Sequence, residues 1–159
     1  MKLYLVQHGA AVAKDIDPER PLSEQGVRDV TAIAGVLRDA GIRIDRSWHS
    51  GKRRAEQTAK ILAKAVAPAA TVEPVDGISP NDPVTEFAED ADVWDQDTLV
   101  VGHLPFMARL VSLLTTGDPE QELVSYSPGS VVCLERRDTD WILLWMLRPG
   151  MFTGRTGDS

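Results

Sequence analysis

The sequence predicts an α/β protein built as a single-domain three-layer sandwich: a mostly parallel central sheet, helices on both faces and a C-terminal antiparallel hairpin. Three observations predict it. Short apolar runs alternate with longer amphipathic stretches along most of the chain, the order expected when helices connect parallel strands. The last two apolar runs are separated only by Asp138-Thr139-Asp140, a spacing that suits an antiparallel hairpin. Finally, 159 residues of which 43% are apolar make one domain able to bury about two thirds of its unfolded surface, and no repeat or linker divides them.

Taken in order, the strands are expected at Lys2 to Val6, Arg46 to His49, Thr71 to Val75, Thr98 to Val101, Ser130 to Arg136 and Trp141 to Leu147. The first long helix should open after Ser23 as N-cap and close near Gly41, with Val27, Val30, Ala34 and Leu37 facing inward. A second runs from about Arg53 to Val66 and turns Ala55, Thr58, Ala59, Leu62 and Val66 to the core. Pro105, a good first-turn residue, starts a third helix that places Phe106, Leu110, Val111 and Leu114 on one face. Between Gly77 and Asp97 the pattern is least regular, with Pro80, Asn81, Asp82 and Pro83 followed by an acidic segment suited to a short helix. The domain is expected to span residues 1–149, and the tail from Gly150 to Ser159 to be loose.

Charge narrows the functional classes. With 17 Lys and Arg against 24 Asp and Glu the net charge is −7, which argues against nucleic acid or an anionic membrane as partner. An anionic substrate must then be met by a local basic cluster. Cys133 is the single cysteine, so neither a disulfide within the chain nor a cysteine-based zinc site is expected, in keeping with a reducing cytoplasm. The apolar start breaks at Gln7-His8, too short for a signal segment, and the longest apolar run, Trp141 to Leu147, is far below a membrane span. A soluble cytoplasmic protein is the expectation.

In open α/β sheets ligands sit beyond the carboxyl ends of the strands. Three strands deliver unusual residues there: Gln7-His8-Gly9 after the first, His49-Ser50 with Lys52-Arg53-Arg54 after the second, and Gly102-His103-Leu104-Pro105 after the fourth. A lone histidine is usually a hydrogen-bonded structural residue. Two at equivalent exits beside an arginine cluster point instead to an anion site with imidazole in it, hence phosphoryl transfer. Metal binding is disfavoured, because no His-x-x-x-His spacing occurs and Lys52, Arg53 and Arg54 would repel a cation. The first turn is neither Gly-x-Gly-x-x-Gly nor a Walker loop. His49 reads as a pocket-edge or structural residue, the four tryptophans as packing and Cys133 as a small buried hydrophobe.

Four segments in order, Leu-Val-Gln-His-Gly at 5 to 9, Arg-Pro-Leu-Ser-Glu-Gln-Gly at 20 to 26, Ser50 with Arg-Ala-Glu-Gln-Thr at 54 to 58, and Val-Gly-His-Leu-Pro at 101 to 105, resemble the histidine phosphatase superfamily. The likeness is greater to its small phosphohistidine phosphatase, SixA-like, branch, and it covers Lys2 to about Pro149. It implies a phosphoglycerate mutase-like fold and a covalent phosphohistidine mechanism without a cofactor. His8 matches the family's nucleophile, Arg54 and His103 match the residues that hold the phosphoryl oxygens, and Arg20 matches an arginine near the pocket of the phosphohistidine branch. One position departs: the family's first motif is Arg-His-Gly, and Gln7 stands where the arginine belongs. Glutamine keeps donor capacity but no charge, a rate loss of roughly ten- to a hundredfold unless Arg20, Lys52 or Arg53 compensates.

The resemblance and the residues together suggest a phosphatase that removes phosphate from phosphohistidine on a phosphoprotein such as a histidine-containing phosphotransfer domain. A departing imidazole carries its own proton, so no strong general acid is needed; an alkoxide would need one, and Asp82 is the candidate, against the plainer reading of a turn aspartate. No insertion is long enough for a lid, which favours a shallow pocket and a protein substrate. Two alternatives stand beside this: a small-molecule phosphomonoesterase or mutase of the same superfamily, and a non-catalytic phosphate-binding module. Oligomeric state is not legible.

Overall fold

Leu3-Tyr4-Leu5-Val6 offers water no polar face, so it needs cover on both sides, and it forms the buried strand β1 (Lys2–Gln7). In the computed structural model, which describes residues 1–154, it lies inside a six-stranded sheet with β2 (Arg46–His49), β3 (Val72–Pro74), β4 (Thr98–Gly102), β5 (Val131–Arg137) and β6 (Asp140–Leu147). The order is β3-β2-β4-β1-β5-β6. The first four in that order are mutually parallel, while β5 is antiparallel to both β1 and β6. The hairpin turns at Asp138, which takes a left-handed φ of 55°, a conformation aspartate tolerates better than most residues. All six expected strands are present, with ends moved by at most one residue.

Alternation along the strands divides the core in two. Tyr4, Val6, Leu99, Val101, Val131 and Cys133 face α1 (Glu24–Asp39) and α2 (Arg53–Val66). Leu3, Leu5, Val100, Val132 and Leu134 face α3 (Thr85–Ala91) and α4 (Phe106–Thr116). The sheet is therefore sandwiched as expected. Ser23 caps α1 by accepting the Gly26 N–H at 3.0 Å, and α2 keeps its expected bounds with all five inward residues buried. Val27 is the exception on α1: it is exposed, and Ile33 takes the core position beside Val30, Ala34 and Leu37. A 3.6-residue period allows either stripe, and the packing of α1 against α2 selects the one through Ile33. Pro105 sits one residue before α4, as its cap, after a cis peptide with Leu104.

The acidic segment is less uniformly solvated than its composition suggests. Asp92 accepts the Trp141 indole N–H at 2.9 Å, and Asp97 accepts the Lys2 backbone N–H at 2.7 Å, pinning the start of β1. Arg46 lies over Trp48 and Trp94, 4.3 and 5.0 Å from the ring centroids. At the other end, Gly150–Thr153 forms a short helix, α5, against α1, so the first residues of the expected loose tail are ordered; the expectation for 155–159 lies outside the described residues. Among the described residues no helix is long and apolar enough to cross a membrane.

Candidate active site

Parallel strands all end on one edge, and that edge brings His8, Ser50 and His103 together. His8 follows β1 and His103 follows β4, and because Gln7 pairs with Gly102 the two histidines leave the sheet side by side. Their ring centroids are 4.9 Å apart, inclined at 55°. His8 is partly exposed, whereas His103 is 2% exposed. The backbone around the first turn is tied on every side: His8 N–H donates to Gly102 O at 3.0 Å, and Gly129 N–H reaches the carbonyls of Gln7 and His8 at 3.0 and 3.1 Å.

The helix α2 organises the rest from one face. Arg54, Gln57 and Thr58 lie at adjacent helical spacings, and each serves a different part of the site. Thr58 Oγ1 accepts the Gly9 N–H at 3.0 Å and donates to Arg54 O at 2.8 Å, which fixes the turn carrying His8. Gln57 Oε1 accepts the Leu22 N–H at 2.7 Å, which fixes the segment carrying Arg20. Arg20 itself has a left-handed φ of 48°, rare for a residue with a side chain, and its Nε–H donates to Val12 O at 3.1 Å. Arg54 Nε is buried without a partner, a donor that an anion's oxygens would satisfy. Close approach also requires Gly26: a Cβ there would lie 2.0 Å from Ala10 O, so α1 can sit directly behind the His8 turn.

Electrostatics follow from this crowding of cations. Burial, then Arg54 and Arg20, pushes the His8 pKa down to about 4, against the opposing pull of the Gly9 carbonyl. His103 is pushed to about 3 by burial first, then by His8, Arg54, Lys52 and Arg20. Arg54 is also lowered, by burial and then by Arg20. Both imidazoles are thus neutral in the free protein near pH 7. Nδ1–H of His8 donates to Gly9 O at 2.7 Å, which leaves the Nε2 lone pair free for attack. The site is neutral histidines in a positive field, a setting that welcomes a dianion and then allows a histidine to charge.

The other expected residues divide. Gln7 is 9% exposed and its Oε1 is buried without a partner. Arg53 is held away by Glu19 at 2.8 Å. It lines, with Lys52, Arg54, Glu56 and Gln57, a groove of about 680 Å3. Asp82 does not join the histidines in a shared cavity: its Oδ2 accepts the Ser79 N–H at 2.8 Å, and it lines a separate groove with Asp76, Glu86, Phe87 and Asp90. His49 is structural, its Nδ1 accepting the Gly51 N–H at 3.0 Å. One contact was not foreseen. Ser50 Oγ lies 2.6 Å from His103 Nε2, a meeting made by strand register between segments fifty residues apart. No group of three or more His, Cys, Asp or Glu among the described residues is placed to hold a metal ion.

Comparison with known proteins places this geometry. The family model described as histidine phosphatase superfamily (branch 1) matches residues 3–78, the stretch that carries His8, Arg20, Ser50 and Arg54. The chain is similar to the histidine phosphatase superfamily over that stretch. The protein histidine phosphatase SixA, in a structure complexed with tungstate, superposes on this chain with a TM-score of 0.83 and 21% identity, covering 94% of this chain and 97% of that one. The alpha-ribazole phosphatase of Shigella flexneri superposes with a TM-score of 0.68 and 15% identity, over 91% and 95%. An uncharacterized protein of Picosynechococcus is 28% identical over 131 residues, 77% of this chain and 78% of its own length. The phosphoglycerate mutase-like fold is shared with these structures.

Proposed function

We propose that this protein hydrolyses phosphohistidine on a phosphoprotein, with His8 as the residue that is transiently phosphorylated. The observation that carries the proposal is the pair of facing imidazoles, one with its Nε2 lone pair free and one buried among cations. Nε2 of His8 attacks phosphorus, the bond from phosphorus to the substrate imidazole breaks, and that imidazole departs with its own proton. Water then attacks phosphorus on His8, the bond to Nε2 breaks, and inorganic phosphate leaves. Arg54 and Arg20 neutralise the equatorial oxygens, and His103, charged only while the dianion is present, holds a third.

Preference for phosphohistidine over an ester rests on the leaving group. An alkoxide needs a proton donor at the histidines, and the candidate, Asp82, is hydrogen-bonded to its own turn and lines another groove. The likeness to SixA supports the same choice; on this reading the substrate is a phosphorylated protein such as a histidine-containing phosphotransfer domain, and the role is in signalling. The likeness to an alpha-ribazole phosphatase keeps a small phosphate ester as the alternative substrate. Turnover of a phosphohistidine peptide compared with a panel of phosphate monoesters separates the two. Phosphohistidine should be hydrolysed at least about tenfold faster, through an acid-labile, base-stable adduct that maps to His8. Faster monoester turnover would transfer the protein to the small-molecule class, and no adduct with any donor would leave a phosphate-binding module.

A further inference from the structure

Each of the two facing imidazoles is tied by one ring nitrogen, and the nitrogens differ. His8 donates through Nδ1 to Gly9 O, whereas His103 is held at Nε2 by Ser50, at 2.6 Å. We propose that Ser50 is a positioning residue that divides the labour between the histidines: its hydroxyl occupies Nε2 of His103, so that this ring does not compete with His8 for phosphorus and is oriented to take up a proton when an anion arrives.

The direction of the bond follows from its surroundings. The titratable and charged groups acting on His103 are His8, Arg54, Lys52 and Arg20, with no carboxylate among them, so nothing in the free site holds an imidazolium. Of the two polarities a neutral ring allows at this contact, we assign the one in which Ser50 O–H donates to Nε2 and the ring proton lies on Nδ1. Lys52 N–H donates to Ser50 Oγ at 3.4 Å, which suits an oxygen whose own proton is turned toward His103. The turn is built to hold this position: Ser50 follows β2, His103 follows β4, His49 is in register with Val101, and His49 Nδ1 closes the turn by accepting the Gly51 N–H.

A phosphoryl dianion between the rings changes the balance. His103 gains a proton at Nε2, and the same contact reverses polarity: Nε2–H donates, Ser50 Oγ accepts, and the serine proton swings to another acceptor. The ring need not turn. This step rests on the phosphatase reading; the free-state tautomer does not.

Ring nitrogen-15 NMR on wild type, Ser50→Ala and Ser50→Thr, with and without inorganic phosphate, tests it. His103 in the free wild type should be protonated at Nδ1 alone. Ser50→Ala should show a mixture of tautomers and His103 titrating at higher pH, since the donor that favoured the neutral ring is gone. Ser50→Thr, which keeps the hydroxyl, should restore both. In turnover, Ser50→Ala should lower kcat about tenfold with KM little changed and move part of the phosphoryl label onto His103. Tautomer and titration unchanged in Ser50→Ala, or a folded Ser50→Thr that behaves like it, would overturn the proposal. A wild type that forms no adduct with any phosphodonor overturns the phosphatase reading and the division of labour with it, while the tautomer result still decides whether Ser50 holds His103.

Discussion

Gln7 stands where the superfamily's first motif carries arginine, and its surroundings say what the exchange costs. It is buried at the exit of β1, in register with Gly102, and its Oε1 has no partner. A guanidinium there would add a charged donor for phosphate but would join Arg54 and Arg20 in pressing both histidines toward neutrality. Gln7→Arg should therefore tighten inorganic phosphate binding by about 1 to 2 kcal/mol, read by calorimetry, while shifting the His8 titration still lower than about 4. Turnover need not follow, because product held more tightly leaves more slowly. Activity found only in Gln7→Arg would mean that the natural protein is a binding module. Asp82 carries the opposite expectation: with its carboxylate spent on the Ser79 N–H, Asp82→Asn should leave phosphohistidine turnover within about threefold of wild type, and a larger loss would bring it back into the site. His8, Arg54 and His103 were legible in the sequence because strand exits concentrate chemistry. The Ser50 contact was not, since a hydroxyl acquires a partner only through the register of two strands.

Among the elements, α2 does most to build the site. Its inward face was legible from period alone, and Thr58 counted as one more core residue. What period does not show is that Thr58 Oγ1 and Gln57 Oε1 hold the turns of His8 and Arg20 at 3.0 and 2.7 Å, so that one helix sets the spacing of the proposed nucleophile and the cations. Thr58→Val keeps the shape and removes the acceptor of the Gly9 N–H. An unpaired buried donor costs about 1 to 3 kcal/mol, which for a chain of this size lowers Tm by about 3 to 10 °C. Turnover should fall further than stability accounts for, because the His8 turn loses its anchor. Thr58→Ser should recover both in thermal melts and assays; a Thr58→Val protein with wild-type turnover would show that the turn is held by its backbone bonds alone. The one inward residue misjudged on a long helix, Val27, failed for a related reason: amphipathic spacing defines a stripe only to within one position, and contact with α2 chooses Ile33.

At the scale of the molecule, the layers were legible because alternating runs on a buried sheet leave few architectures. The placement of β4 between β2 and β1 depends on packing of the crossovers, which no local pattern encodes. That placement has an energetic consequence, since it buries His103 beside His8 among cations. Unfolded, each histidine takes up a proton near pH 6.5; folded, they do so near 4 and 3. Protons therefore favour the unfolded chain below pH 6.5, and the stability present above that pH is lost as pH falls toward the folded values. Between pH 7 and pH 5 the loss should be roughly 2 kcal/mol for each histidine, in a range where most carboxylates have yet to titrate. Urea unfolding at pH 7, 6 and 5 measures it directly. His8→Asn and His103→Asn should each remove roughly 2 kcal/mol of that loss, with a remainder from His49, whose titration burial also lowers. A wild type equally stable at pH 7 and 5, or variants that keep its slope, would mean that these imidazoles accept protons in the folded state as readily as in the unfolded one, and the proposed neutral nucleophile would lose its electrostatic basis.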